Sequence, residues 1–276
     1  MKYLIILLVV CLSGCSALHS TSQIPNLQET QTEVVSQEKT SPIDSTYEDE
    51  YTKSGWTLTF QDEFEQPELS SLHWNKVNSG YKEHGRLHYY LPDQVNSSSG
   101  TLKLYVHDTP YKDFSYRSGA VTTQGLHKQL YGKIEVRAKF PTGQGLFPAI
   151  WLLPSNHQAY PEIDIVEMLG QQPKELWHVA HKKEGQREYK VTKGINGSEW
   201  HVYTLDWLEN ELIFYIDGSE KFRTPNISTT PMYLWMNVAV GGTWVGDPDK
   251  ETAFPSVMEV DYVRIYSQEY ITLKRE

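Results

Sequence analysis

From Trp56 onward the chain alternates apolar and polar residues with a period of two, in short runs separated by turn residues. In "TLKLYVHD", Leu102, Leu104 and Val106 share one face and Lys103, Tyr105 and His107 the other, the pattern of a half-buried strand. "GKIEVRAKFP" repeats it, with Ile134, Val136, Ala138 and Phe140 opposite Lys133, Glu135, Arg137 and Lys139. "ENELIFYIDGSEKF" reads as a hairpin because Asp217-Gly218 supplies a turn between two β-prone runs, and "MYLWMNVAV" and "MEVDYVRIY" add further strands. No segment carries a long apolar stripe at helical spacing, and strands do not alternate with helices as parallel α/β folds require. No repeat of solenoid or propeller period is present. The pattern predicts an all-β domain over residues 54–268, a jelly-roll sandwich of two curved antiparallel sheets whose concave groove can take a chain-like ligand.

One run breaks the alternation. "YPEIDIVEMLG" sets Glu162, Asp164 and Glu167 inside an apolar strand, and in a regular strand Glu167 points away from the other two. If Val166 is the extra residue of a β-bulge, all three carboxylates share a face. Burying unpaired carboxylates is costly, so acids in such a strand are paired, metal-bound or open to a cleft. Two carboxyls about 5–5.5 Å apart are what retaining glycoside hydrolysis needs, and a third keeps one of them protonated. The spacing by itself leaves that chemistry open beside an acidic surface strand and a calcium site.

Composition narrows the classes. A net charge of -10 and a pI near 5.5 argue against binding nucleic acid. Both cysteines, Cys11 and Cys15, lie in the first fifteen residues, so the domain has no disulfide to rely on. "MKYLIILLVVCLSGC" has one lysine, an apolar run too short to span a bilayer, then small residues, the form of an export signal. Its ending "LSGC" resembles the bacterial lipoprotein processing box, which implies a signal peptide over 1–14 and a lipid on Cys15. Residues 15–53, rich in Ser, Thr, Gln and Glu, read as a flexible spacer, and 269–276 as a short tail. The expected location is outside the cytoplasm, anchored to a membrane through Cys15.

"EIDIVE" resembles the E-x-D-x-x-E signature of glycoside hydrolase family 16, the clan of laminarinases, lichenases, agarases and carrageenases. The resemblance runs from Trp56 to Tyr266 through "WTLTFQDEF", "SGTLKLYV", "YGKIEVRAKFPTGQGLFPAIWLLP", "WHVYTLDW", "NVAVGGTW" and "MEVDYVRIY", in the family's order. It implies Glu162 as nucleophile, Glu167 as general acid/base and Asp164 as the assisting acid, with no cofactor for catalysis. The implied activity is a monomeric, retaining endo-glycosidase of a polysaccharide, first a β-1,3-glucan. Action on a galactan or an acidic or host glycan, transglycosylation, and non-catalytic glycan binding stand as alternatives.

Trp151, Asn237 and Trp244 match positions that contact sugar in relatives. His178 and His181 fall on the strand after the catalytic one, three residues apart and so on opposite faces; one of them is expected to reach the sugar. "HGRLHYY" departs from the laminarinase pattern, with Arg86 in place of a Glu, and a guanidinium there suits an oxyanion or a neighbouring carboxylate. Glu63 and Asp261 match the holders of a structural calcium found in many relatives.

Overall fold

The computed structural model describes residues 54–268; the expected signal peptide, Cys15, spacer and tail lie outside them. Among the described residues eighteen strands follow one another: β1 (Trp56–Asp62), β2 (Asn75–Lys76), β3 (Ser79–Gly80), β4 (His88–Tyr90), β5 (Val95–Ser98), β6 (Thr101–His107), β7 (Tyr116–Ser118), β8 (Ala120–Thr122) and β9 (Gly132–Lys139). After these come β10 (Leu146–Pro154), β11 (Glu162–Met168), β12 (Glu175–Lys183), β13 (Gln186–Lys193), β14 (His201–Trp207), β15 (Glu211–Ile216), β16 (Ser219–Pro225), β17 (Met232–Val240) and β18 (Ser256–Gln268). Two 3₁₀ turns, Glu83–Gly85 and Pro92–Gln94, flank β4.

The strands form two sheets, as the alternation predicts. One has the order β13-β12-β11-β10-β17-β8-β2; the other runs β16-β15-β14-β9-β18-β6-β7-β4-β3, with β1 and β5 added on β18 and β6. All ladders between named strands are antiparallel except the three-residue β4–β7 pair, which is parallel. Asp217 and Gly218 both take positive φ, 50° and 72°, which lets a two-residue turn follow the twist of β15 and β16.

Side chains of the inner faces meet in one core. Leu102, Leu104 and Val106 of β6, and Ile134, Val136 and Ala138 of β9, pack with Ile163, Ile165, Val166 and Met168 of β11 and Met236 and Val238 of β17. The outer face of β9 is less wet than its polar sequence suggests. Lys133 and Glu135 are both buried, the first ion-paired with Asp206 and the second accepting a hydrogen bond from Tyr262 Oη at 2.9 Å.

The calcium reading meets a different arrangement. Glu63 takes both arms of Arg264, Nε at 2.8 Å and Nη2 at 2.9 Å, while Arg137 donates to Asp261 Oδ2 at 2.6 Å. Each carboxylate already faces a guanidinium, so this pair does not fit a calcium ion.

Leu104 is fully buried at the centre of β6. Leu104→Ala is expected to lower the unfolding free energy by about 2–5 kcal/mol, read from urea denaturation; a loss under about 0.5 kcal/mol would place the core elsewhere.

Candidate active site

The register around β11 shows how three acids come to one face. Toward β10, Val166 lies opposite Ile150 and Asp164 opposite Trp151, so Ile165 has no partner of its own. Toward β12, Asp164 pairs with Val179 and Glu167 with Trp177, which leaves Ile165 and Val166 together opposite His178. Both isoleucine and valine enter the core, and Glu167 returns to the side of Glu162 and Asp164. The expected bulge is present, but in the β10 register its extra residue is Ile165 rather than Val166.

The two histidines separate as alternation requires. His178 is completely buried in the core, so of the two candidates it is not the one that can reach a sugar, and it is withdrawn as a groove residue. Its Nδ1 lies 2.7 Å from the carbonyl oxygen of Ile165, and burial holds its pKa down to about 4. The neutral ring therefore donates Nδ1–H to the carbonyl that the bulge turns out of register. His181 sits on the other face, with Nε2 3.2 Å from Asp164 Oδ2 and 3.6 Å from Glu162 Oε1. The contact is one of charge when the imidazole is protonated, because Asp164 Oδ2 is buried without a hydrogen-bond partner.

The three carboxyls differ in how firmly they keep a proton. Burial raises the pKa of Glu162, and His181 pulls it back. Asp164 is raised well above its usual range by burial and then by the charge of Glu162, against a smaller opposing effect of Arg187. Glu167 is raised well above its range by burial, then by Asp164 and Glu162, with His181 and Arg86 opposing. Glu162, raised least of the three, ionises first; Glu167 holds its proton longer.

A cleft of about 730 Å³ opens over these acids. Trp151 and Asn237 line it, and the indole N–H of Trp151 donates to Asn237 Oδ1 at 2.8 Å, fixing both. Arg86 also lines it, with its guanidinium 4.9 Å from the centre of the Phe147 ring and Nη1 donating to the Gly241 carbonyl at 3.1 Å. A Cβ at Gly241, where φ is 71°, would stand 2.6 Å from Leu87, so the turn can lie against the Arg86 loop only as glycine. Trp244 is outside the cleft lining, 45% exposed, edge-on to Phe147 at 5.3 Å.

Tyr160, Tyr90 and Trp235 also line the cleft and were not anticipated. Trp235 was within reach of sequence reasoning, since it stands two residues before Asn237 and so on the same strand face. Glu162, Asp164 and His181 present donor atoms within 4.8 Å of one another, the one group among the described residues able to hold a metal ion.

The sequence profile "Glycosyl hydrolases family 16" matches residues 83–264. The chain belongs to glycoside hydrolase family 16. It is 31% identical over 248 residues to a β-glucanase of Rhodothermus marinus, covering 76% of this chain and 85% of that one. The solved catalytic domain of an endo-1,3-β-glucanase (laminarinase) from Thermotoga petrophila RKU-1 superposes with a TM-score of 0.73 at 30% identity, over 78% of this chain and 98% of that one. A keratan-sulfate endo-1,4-β-galactosidase of Sphingobacterium multivorum is 28% identical over 234 residues, 76% of this chain and 55% of that one. The chain spans between 34% and 38% of the length of three other curated relatives it matches. As a family 16 member it is a glycoside hydrolase with the jelly-roll sandwich of that family, and glycosidases of this family need no catalytic cofactor.

Raised carboxyl pKa values make the site a cost to folding at neutral pH. For Asp164 and Glu167 the folded value lies above the unfolded one, so stability present below the unfolded range is lost as pH rises through the raised values. Asp164→Asn and Glu167→Gln are expected to raise Tm at pH 7 by about 2–4 °C and to bring no gain near pH 4. Calorimetry at both pH values checks this; equal effects at both would mean the acids are not strained by ionisation.

Proposed function

We propose that the chain is a retaining endo-glycosidase that cuts internal β-glycosidic bonds of a polysaccharide, with β-1,3-glucan as the first substrate and a monomer as the working unit. The observation that carries it is the carboxyl set on one cleft face, in which Glu162 ionises before Glu167. Ionised Glu162 attacks the anomeric carbon while protonated Glu167 gives its proton to the leaving oxygen. Glu167, now a base, takes a proton from water, and that water releases the sugar from Glu162 with its configuration retained. Asp164, buried between them and reluctant to ionise, limits the negative charge beside the nucleophile. Trp151 and Trp235 offer ring faces to the apolar side of sugar rings. The names of the relatives from Rhodothermus marinus and Thermotoga petrophila RKU-1 support a β-glucan.

A second reading, an anionic glycan, is favoured by Arg86. Its guanidinium lies in the cleft held by a carbonyl and an aromatic ring rather than by a carboxylate. The relative named for keratan sulfate points the same way.

The chain is also proposed to carry a lipid on Cys15 and to work outside the cytoplasm at a membrane, on the strength of "LSGC" after a short apolar run.

Incubation of residues 54–268 with laminarin, mixed-linkage glucan, galactans and keratan sulfate, beside Glu162→Gln, tests the activity. Oligosaccharides released by the wild type, and at least about 10³-fold more slowly by Glu162→Gln, are expected. Binding without release would make the protein a lectin, and redistributed chain lengths without new reducing ends would make it a transglycosylase. For the anchor, labelled fatty acid is expected on the full chain and lost in Cys15→Ser; equal labelling of both would dismiss it.

A further inference from the structure

The cleft lining ends at β11, yet the sheet does not. Strands β12 and β13 carry the same face outward: Trp177 beside Glu167, Val179 beside Asp164, then Tyr189 beside Val179 and Arg187 beside His181. On this stretch stands a set of rings. Trp177 and Tyr189 stack with centroids 5.6 Å apart and planes at 22°, and Trp244 meets Trp177 edge-on at 5.1 Å and 90°. Trp244 continues to Phe147, and Phe147 to Arg86, so one line of rings joins the cleft to the sheet's outer edge.

The two rings that flank Trp177 are open to solvent in spite of their size, while Trp177 itself is half-buried. Tyr189 is 51% exposed and Trp244 45%, and every residue of β13 from Gln186 to Lys190 is exposed. They add nothing to the core between the sheets, whose members lie on the other face. Rings held rigid by one another, flat and half in water, are what the apolar face of a sugar stacks on.

The chemistry decides which half of the substrate lies here. In a retaining reaction the half bound to the nucleophile must stay and be held, whereas the other half must leave and let water enter. The cleft, walled by residues of β4, β10 and β17, suits the first and the exposed β12–β13 face the second. We infer that Trp177, Tyr189 and Trp244 form a stacking platform for the leaving, reducing-end half of the polysaccharide chain. This rests on the endo-glycosidase reading given above. The platform holds the polymer on both sides of the cut, which directs cleavage to internal bonds.

The alternative is that the rings only fasten the β12–β13 hairpin. Tyr189→Ala, Tyr189→Phe and Trp177→Ala would be compared with wild type on laminarin and on a nitrophenyl laminari-oligosaccharide, whose leaving group is too small to reach Tyr189. The ratio of kcat/KM between polymer and nitrophenyl substrate is expected to fall about tenfold in both alanine variants and to be restored in Tyr189→Phe. An unchanged ratio, whether or not Tm falls, overturns the platform. Should no polysaccharide be cleaved by the wild type, the hydrolase reading fails separately. The platform is then read by electrophoresis of Glu162→Gln through gels containing laminarin or keratan sulfate. Retardation that Tyr189→Ala abolishes supports it; equal retardation, or none, overturns it.

Discussion

The active face depends on one unpaired residue in one strand. A strand shows its side chains to two sides in strict turn, and the inner side of β11 belongs to the core between the sheets. Three acids can share the outer side over a span of six residues only if the ladder skips once, and it skips at Ile165. The skip leaves a carbonyl out of register, and His178 meets it from inside the core. A histidine with Nε2 buried and unpartnered is an expensive filler for such a place. Its hydrogen bond to the Ile165 carbonyl explains why an imidazole rather than an aliphatic side chain stands there.

Burial supplies the next step. The same packing that stiffens β11 also removes water from its acids, so their proton affinities rise and spread apart. His181 and Arg86 temper that rise from two directions, one from β12 and one from the loop before β4. A site of this kind is held in place by the sandwich against its own preference, because charged carboxyls gain more in water than in the cleft. The jelly roll is thus a rigid support for an arrangement that would not assemble on a softer scaffold.

Around the acids, aromatic residues divide by depth. Trp151 and Trp235 lie within the cleft, 5.7 Å between ring centres, with the Trp151 indole tied to Asn237. Phe147, Trp244, Trp177 and Tyr189 rise from four different segments and touch in series. The first pair lines the cleft together with Phe147, while Trp244 and Tyr189, joined through half-buried Trp177, stand exposed toward the edge of the same face.

Much of this was legible in the residues alone. Alternation marked the strands because a half-buried strand has no other way to place its side chains, and the three acids stood out because the apolar run around them left few uses for charge. The same rule put His178 and His181 on opposite faces, but not which face was which; that came from the pairing of β12 with β11. Ile165 and Val166 are alike to a reader of patterns, and only the β10 register singles out the first. Glu63 and Asp261 looked like calcium ligands until arginines remote in sequence were seen to hold them. Trp244 was expected in the groove and stands outside its lining, while Tyr189 drew no notice in a strand that reads as plainly polar. What the sequence determined was therefore local: strand, face and the identity of the acids. What only the tertiary structure decided was which distant residues neutralise, pin or extend them, because those contacts join strands whose separation in sequence carries no trace of their closeness in space.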